Sequence, residues 1–425
     1  MSYPFRSQYQ YDHVPGRRRV VITGLGAVSA AGVGVKPLWE SLLANRGSVG
    51  RITRYKSDGM PITIAGEVRD FDAARYIPAA LKPKRMARHT QFAVIAAQEA
   101  LADAKLDAAA LKEQRVAVVV GSSTGTSEVL EQATRDLDRT GMRGVNPSTA
   151  ATANMQGAPA AVAAMLGGFR IPATSVTNTC SSGVDAISIA VDLIRLGRRD
   201  VVVAGGADAP LSDVMTTVIA NSGICTLRAE VPATAGRPFD REREGGVLGE
   251  GAGIFVLEEM SVARERGAKI YAEIAGVYSC PDDDRERPTS GLEHTMRGAM
   301  ENAGCSPADI DFVSAWGCGH PVFDRCETEA IKAVLGPDAY RVAVGSIKGA
   351  VGIPLGAAGA VQLVTTALSH AQNVLPPTVN CDYADVDCDL DYVSGRARQV
   401  RMRHSLLNAH GMTGGNVTLL LSSVR

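Results

Sequence analysis

The chain has 425 residues, which is long enough for two packed domains or one large duplicated fold around a sizeable core. Its 44 basic and 45 acidic residues leave a formal net charge of −1, which excludes a global field that attracts nucleic acid or a membrane surface. Only 5% of the residues are aromatic, which disfavours a surface that stacks bases.

Residues 1–19 are expected to form a loose polar arm before a first strand at Val20–Thr23. The glycines of Gly24-Leu25-Gly26 are expected to turn the chain there, and they invite a dinucleotide-binding interpretation. Ser29 stands where the third glycine of G-x-G-x-x-G belongs, and no acidic residue follows at the usual distance. NAD binding is therefore excluded.

A longer helical region is predicted over residues 81–106. It opens with a basic cluster, formed by Lys82, Lys84, Arg85 and Arg88. Such a cluster is either an ordinary solvated face or a docking patch for an acidic partner. A buried strand is predicted next, at 116–120, and a Gly/Ser/Thr-rich loop follows it.

The segment Ala173–Gly197 begins as an extended run, tightens at Thr177–Cys180 and continues as a helix that is apolar nearly all round. Cys180 therefore lies where a strand ends and a buried helix begins. Free N–H groups and the helix dipole at such a position favour the thiolate over the thiol. We interpret Cys180 as a nucleophile; the alternative is a buried, unreactive cysteine.

The pattern restarts in the second half of the chain. Strands predicted at 271–278, 310–316, 342–346, 400–408 and 417–423 alternate with helices at 294–303, 326–335 and 355–370. Two rounds of strands alternating with buried helices predict a duplicated α/β fold with both sheet faces covered. We place the first unit, which carries Cys180, at 20–270 and the second unit at 271–425.

The eight cysteines are scattered and form no C-x-x-C pair, so neither a zinc site nor a disulfide framework is expected. The polar N-terminal segment does not resemble a signal peptide, and no run of about 18 apolar residues occurs. We therefore expect a cytoplasmic protein with reduced cysteines, without a bound metal, and with no nucleic-acid or membrane partner.

Five motifs follow one another along the chain: TNTCSSG, VVAGGAD, RPFDREREGGVLGEGAG, SIKGAVGIPLGAAGAV and LNAHGMTGGN. In order and spacing they resemble those of the β-ketoacyl-carrier-protein synthases of the elongating, synthase II-like type, from about Val20 to Leu421. The resemblance implies the thiolase-like fold, a duplicated five-layered α-β-α-β-α arrangement, in a homodimer. It also implies that the phosphopantetheine arm of an acyl carrier protein delivers an acyl chain to Cys180, without a cofactor bound to the enzyme itself. The carrier would dock at the basic cluster.

The resemblance also assigns residues around the thiol. Backbone N–H groups of Cys180 and Met412 would form an oxyanion hole, although the family usually has an aromatic residue at the second position. Trp316 and Ile353 stand where the family has two histidines that stabilise the enolate of malonyl decarboxylation. An isoleucine side chain donates no hydrogen bond, and the loss of one donor in an acyl-transfer site typically costs ~10²–10³ in rate. Decarboxylative condensation is therefore not expected.

Four further residues are candidates for a role in the chemistry. Lys348 is retained, and Glu327 stands where the family has its carboxylate partner. We interpret them as a buried ion pair that holds loops, with direct catalysis as the alternative. His410 and His320 lie in turns of the implied active site, and each is either a replacement base or a satisfied loop residue.

These features predict an enzyme of secondary metabolism that cyclises an acyl chain held on Cys180, by intramolecular aldol addition and lactonisation. A tethered nucleophile has an effective concentration of up to ~10⁵ M or more and needs less acid–base help. Such a chain resembles the substrates of stand-alone ketosynthase-like cyclases of polyketide or polyketide–peptide pathways. Three alternatives stay open: an intermolecular acyltransferase, a β-ketoacyl synthase with an atypical active site, and a non-catalytic ketosynthase-like partner.

Overall fold

A computed structural model describes residues 18–112, 114–167, 170–284 and 286–424. The predicted N-terminal arm lies outside these residues except for its last two. Arg18 forms an ion pair with Asp200, and Arg19 forms one with Glu273. The end of the predicted arm is therefore held against the fold.

The chain alternates strands and helices over its whole length. The strands are β1 Val20–Ser29, β2 Gly32–Val33, β3 Gly50–Arg51, β4 Ile64–Ala65, β5 Val116–Gly121, β6 Ala173–Val176, β7 Val201–Asp208, β8 Gly251–Glu259, β9 Ala272–Pro281, β10 Ile310–Ser314, β11 Ala343–Gly345, β12 Val374–Leu375, β13 Arg398–Gln399, β14 His404–His410 and β15 Gly415–Ser422. The helices are α1 Val35–Leu43, α2 Arg88–Ala104, α3 Ala108–Lys112, α4 Ser127–Thr140, α5 Thr149–Thr152, α6 Gly157–Met165, α7 Ser182–Arg195, α8 Asp213–Asn221, α9 Met260–Glu265, α10 Gly291–Ala303, α11 Pro321–Leu335, α12 Lys348–Val351 and α13 Ala358–Gln372.

Two groups of five strands have the same order and the same directions. The first group runs β1-β8-β7-β5-β6 and the second runs β9-β15-β14-β10-β11. In each group the first two pairings are antiparallel and the last two are parallel. A short antiparallel contact between β1 and β9 joins the two groups. The repeated topology confirms the predicted duplicated α/β fold; the exact division at residue 270 stays a prediction.

The helices form three layers around these strands. Helices α7 and α13 lie between the two groups, where they contact each other and share one apolar core with strands of both groups. Helices α2 and α6 cover the outer face of the first group, and α10 and α11 cover that of the second. The five layers α-β-α-β-α match the predicted thiolase-like architecture.

The predicted turn at Gly24–Gly26 is wrong, because β1 extends through both glycines, with a bulge in its pairing to β8 between Ile22 and Gly24. Helix α2 crosses the strand so closely that a Cβ on Gly26 would overlap the carbonyl oxygen of Ala96, and one on Gly24 would overlap that of Ala100. The glycines therefore admit a helix rather than bend the strand.

Two predicted boundaries also move. The helix predicted from residue 81 begins at Arg88, because two 3₁₀ turns, Ala79–Leu81 and Pro83–Arg85, precede it and Lys82 between them is left-handed with a φ of 55°. The strand predicted over 400–408 begins at His404 and extends to His410. His410 consequently ends a central strand.

The structure shows the state of the cysteines, the grouping of possible metal ligands and the length of the helices. All eight cysteines are free thiols. Over the described ranges, the His, Cys, Asp and Glu side chains form no group of three or more that could hold a metal ion. The helices in those ranges include none that is long and apolar enough to cross a membrane.

The close approach of α2 to β1 predicts the effect of one methyl group. Gly26→Ala should lower the free energy of unfolding by about 1–3 kcal/mol, because the Ala96 carbonyl cannot move without shifting the helix. Urea unfolding followed by circular dichroism measures this change. Gly157→Ala is the matched control, since its Cβ would lie 3.6 Å from Thr90 Oγ1 at the start of α6. An equal loss in both variants would contradict the role assigned to Gly26.

Candidate active site

Cys180 lies in a strained turn between β6 and α7. Thr179, just before it, has a φ of 49°, a region that β-branched residues rarely adopt. Ser182 Oγ holds the turn, since it accepts the backbone N–H of Asn178 at 2.8 Å and donates to the Thr179 carbonyl oxygen at 2.6 Å. Backbone strain that the surrounding structure maintains is concentrated at functional sites.

The pKa of the free Cys180 thiol shifts in the opposite direction from the one that the sequence predicts. Burial raises the pKa of Cys180 to about 12, and the nearby carboxylate of Asp208 adds to the rise. The backbone N–H groups of Met412 and of Cys180, together with the charge of Lys348, oppose it without cancelling it. Burial thus opposes the resting thiolate that the sequence predicts, because loss of solvation disfavours the charged sulfur. The thiol has to lose its proton as it attacks.

The thiol lies among buried apolar side chains. Cys180, Trp316 and Ile353 belong to one buried cluster, in which Trp316 is 2% exposed and Ile353 is 5% exposed. The backbone N–H of Ile353 donates to the Val247 carbonyl oxygen at 2.7 Å, so the glycine-rich segment before β8 lies against this side of the pocket. Thus both positions where the resemblance places histidines are occupied by buried, largely apolar side chains.

His410 has the protonation that a general base requires. Its Nδ1 lies 2.9 Å from Asn416 Oδ1, and Asn416 Nδ2 donates to Asp282 Oδ1 at 2.8 Å. Because the Asn416 amide turns its NH₂ to Asp282, its oxygen accepts from His410, which assigns the proton to Nδ1 and the lone pair to Nε2. Burial also lowers the pKa of His410, which favours the neutral ring. The ring meets that of Trp316 edge-on, with centroids 5.1 Å apart.

His320 has a structural contact instead. It precedes α11, and its Nδ1 accepts the backbone N–H of Val322 at 3.2 Å. This cap uses the Nδ1 lone pair and leaves the proton on Nε2. The ring contacts Phe323 at a centroid distance of 5.1 Å. The geometry favours the loop interpretation of His320 over a role as base.

The direct ion pair predicted between Lys348 and Glu327 does not form. Lys348 Nζ donates to Gln362 Oε1 at 2.8 Å. Glu327 instead accepts the backbone N–H groups of Trp316 at 2.9 Å and of Gly317 at 2.8 Å. The carboxylate is thus satisfied by the loop after β10, and it fixes the backbone of Trp316.

The two charges are nevertheless linked through amide side chains. Gln362 Nε2 donates to the Asn408 carbonyl oxygen at 3.2 Å, and Asn408 Nδ2 donates to Glu327 Oε1 at 3.1 Å. Burial lowers the pKa of Lys348 to about 8, although the negative charge of Glu327 opposes the shift. Lys348 is therefore a buried cation that loses its proton more readily than an ordinary lysine.

Three amides that organise the site, Gln362, Asn408 and Asn416, were not among the predicted residues. Gln362 is a long polar residue between apolar neighbours in the first half of helix α13. Asn408 and Asn416 lie within the LNAHGMTGGN motif, on either side of its turn. Polar residues at positions that the pattern assigns to a core signal a buried hydrogen-bond network, and that signal was present in the sequence.

The basic cluster separates into two parts. Lys82, Lys84 and Arg85 are exposed, and the last two border a cleft of about 570 Å³. Arg88 also borders this cleft, and its Nη2 lies 2.6 Å from Oε1 of the buried Glu250. Its guanidinium is thus paired within the fold, and a role of Arg88 in docking stays a prediction.

Two family models match the chain. The model of the beta-ketoacyl synthase N-terminal domain matches residues 17–263, and that of the C-terminal domain matches residues 271–382. The 3-oxoacyl-[acyl-carrier-protein] synthase 2 of Synechocystis sp. is 35% identical over 410 residues, which cover 95% of this chain and 97% of the relative. The tetracenomycin polyketide synthase ketoacyl synthase alpha subunit of Streptomyces glaucescens is 37% identical over 414 residues, covering 93% and 95%.

Solved structures agree with this similarity. The ishigamide ketosynthase/chain length factor superposes with a TM-score of 0.88 at 32% identity, covering 96% of this chain and 100% of the other. A ketosynthase solved with its type II polyketide acyl-carrier protein and a hexaketide gives a TM-score of 0.88 at 28% identity, with the same coverage. The duplicated sheet described above is thus the fold of these ketosynthases.

The raised pKa of Cys180 predicts how the thiol reacts with iodoacetamide. Between pH 7 and pH 10 the alkylation rate should rise roughly tenfold for each pH unit, because the thiolate fraction grows in that proportion below the pKa. Peptide mass spectrometry of timed samples measures the rate, and Cys180→Ala identifies the peptide. Half-buried Cys280 serves as an internal reference for reagent access. A rate that levels off below pH 8 would show that the thiolate is the resting form.

Proposed function

Because the chain belongs to the β-ketoacyl synthase family, we propose that it takes an acyl chain from a carrier protein onto Cys180 and cyclises it without decarboxylative condensation. The carrier's phosphopantetheine brings the chain, and the enzyme uses no cofactor of its own. The observation that carries this proposal is the asymmetry of the site. Backbone N–H groups lie beside the Cys180 sulfur, whereas buried Trp316 and Ile353 stand where the resemblance places two histidines.

Loading is a thioester exchange. The Cys180 sulfur forms a bond to the carbonyl carbon of the chain, the bond from that carbon to the phosphopantetheine sulfur breaks, and the thiol proton passes to the departing sulfur. His410 Nε2 is the base we assign to this transfer, because Asn416 holds the proton on Nδ1. The backbone N–H groups of Cys180 and Met412 lie beside the Cys180 sulfur. There they would donate hydrogen bonds to the oxyanion of the tetrahedral intermediate and so stabilise it.

Cyclisation then needs only groups within the chain and one base. His410 removes a proton from the carbon next to the thioester, and that carbon adds to a carbonyl of the same chain. The resulting alkoxide attacks the thioester carbonyl, a lactone leaves, and the departing Cys180 sulfur recovers the proton from His410. Protons and electrons balance without an added acceptor. A tethered nucleophile compensates for the missing donors through an effective concentration of up to ~10⁵ M or more.

Two features support the proposed assembly. Lys82, Lys84 and Arg85 are exposed cations, which suit an acidic carrier. Strand β6 ends the sheet and its residues are only partly covered, which suits pairing with a second copy in a homodimer. We therefore propose a homodimer that docks a carrier protein.

A condensing β-ketoacyl synthase with an atypical site is the second candidate. It is favoured by the relatives, which carry the names of synthases at 35–37% identity over nearly the whole chain. An intermolecular acyltransferase and a non-catalytic partner are the further alternatives. All four differ in what they do with a loaded chain, so one set of measurements separates them.

Incubation with a carrier-bound acyl chain that contains an internal ketone should give an adduct on Cys180 and then a released ring without any added acceptor. Intact-protein mass follows the adduct, and liquid chromatography with mass detection follows the product. Cys180→Ala should give neither. His410→Ala should slow product release by about 10²–10⁴-fold if its imidazole moves the protons. Malonyl-carrier protein should release no carbon dioxide above the rate seen without enzyme.

Each alternative has its own result. Prompt carbon dioxide release from malonyl-carrier protein would establish a condensing synthase and contradict our interpretation of Trp316 and Ile353. A stable adduct discharged only by an added amine, alcohol or thiol would establish an acyltransferase. No adduct on the wild-type Cys180 would leave the non-catalytic partner.

Reversing the charge of the exposed cations tests the docking patch. The triple variant Lys82→Glu, Lys84→Glu, Arg85→Glu should lower the rate of Cys180 loading from a carrier by roughly tenfold or more at low salt, since steering by complementary charge contributes 10–10³. Loading from the corresponding pantetheine thioester should not change. The control reverses three other exposed cations, Arg264, Arg396 and Arg401. Equal losses in both triple variants would refute a specific patch.

A further inference from the structure

Neighbouring residues hold both the backbone and the ring of Trp316 in place. Its backbone N–H donates to Glu327 Oε1 at 2.9 Å, and the next N–H, that of Gly317, donates to Oε2 at 2.8 Å. Its ring is packed edge-on against Phe323 and His410, at centroid distances of 5.4 Å and 5.1 Å. Backbone and ring are therefore fixed from separate sides, so the indole has one orientation in the pocket.

The indole N–H of Trp316 has no acceptor within the described part of the chain, although the side chain is 2% exposed. The only other tryptophan of the chain behaves differently, because Trp39 Nε1 donates to Gln372 Oε1 at 3.0 Å. Buried N–H donors are nearly always paired in folded proteins. A buried and unpaired donor in the cluster that contains Cys180 can be paired by an acceptor that a ligand supplies.

We propose that the Trp316 indole N–H binds a carbonyl oxygen of the acyl chain close to its thioester. The site therefore selects chains with a second carbonyl near the thioester, such as β-ketoacyl chains, over saturated chains. Most side chains that pack with Trp316 in this cluster are apolar, so its indole N–H supplies a directional contact among them. The inference rests on the acylation of Cys180 in the proposed function, and it is independent of whether the chain is then cyclised.

The alternative for the indole is a purely steric role. In that case Trp316 fills the space of the family's histidine, and any aromatic residue of similar size serves equally well. The two roles differ in one respect that loading kinetics detect. A steric residue treats saturated and β-ketoacyl chains alike, whereas a hydrogen-bond donor distinguishes them.

The test compares the acylation of Cys180 by octanoyl-pantetheine and by 3-oxooctanoyl-pantetheine, followed by intact-protein mass. Each rate is divided by the rate of the same thioester with glutathione, which removes the intrinsic reactivity. The wild type should prefer the 3-oxo chain about tenfold, as one net hydrogen bond allows. Trp316→Phe should lose that preference, because the rate for the 3-oxo chain falls about tenfold more than the rate for the octanoyl chain. Trp316→His keeps an N–H donor and should retain a preference.

The control variant is Trp39→Phe, which removes the paired indole N–H and should leave the ratio of the two rates unchanged. Equal rates for both chains in the wild type, or equal slowing of both chains by Trp316→Phe, would overturn the proposal and return Trp316 to a steric role. Failure of the wild type to load either chain would overturn the proposed function itself. The two failures are therefore distinguishable in one experiment.

Discussion

Close contact between backbones in the central layer governs where the nucleophile lies. A Cβ on Gly183 of α7, or on Gly206 of β7, would come within 2.7 Å of the carbonyl oxygen of Gly356, just ahead of α13. A Cβ on Gly121 would likewise overlap the carbonyl oxygen of Ser182. Any larger residue here would push the start of α7 away from its neighbours, because protein interiors have no free volume to absorb it. Cys180 is therefore placed by the packing of small residues on both sides of the turn.

The same packing excludes water and thereby sets the charge state of the site. Burial raises the pKa of Cys180 to about 12 and lowers that of Lys348 to about 8. It also lowers the pKa of His410. These directions have one cause, since loss of solvation always disfavours the charged form. The pocket consequently presents a neutral thiol and a neutral imidazole to a neutral acyl chain, and protons move only as bonds change.

The sequence predicts those features that depend on local pattern. The duplicated fold follows from strand and helix periodicity, and the Cys180 turn follows from an extended run that meets an apolar helix. Other features depend on what packs across from a residue. The partner of Arg88 is Glu250, 162 positions away, and Lys348 binds an amide of α13 rather than the expected carboxylate. The sequence predicts a turn at Gly24 and Gly26, because nothing in that segment indicates the helix that crosses it.

Relative to the two histidines that the resemblance implies, Trp316 and Ile353 would affect two reactions unequally. Decarboxylation of a malonyl group leaves a full negative charge on an enolate oxygen, and that charge needs donors that Ile353 cannot supply and Trp316 supplies once. Thioester exchange places its charge elsewhere, at the oxygen that faces the N–H groups of Cys180 and Met412. The proposed cyclisation also passes through an enolate, but this one forms on the chain bound to Cys180, so its charge would fall on the thioester oxygen beside these N–H groups, and the tether supplies proximity. Under the proposed function, the site therefore accepts an acyl chain on Cys180 and closes it rather than extending it.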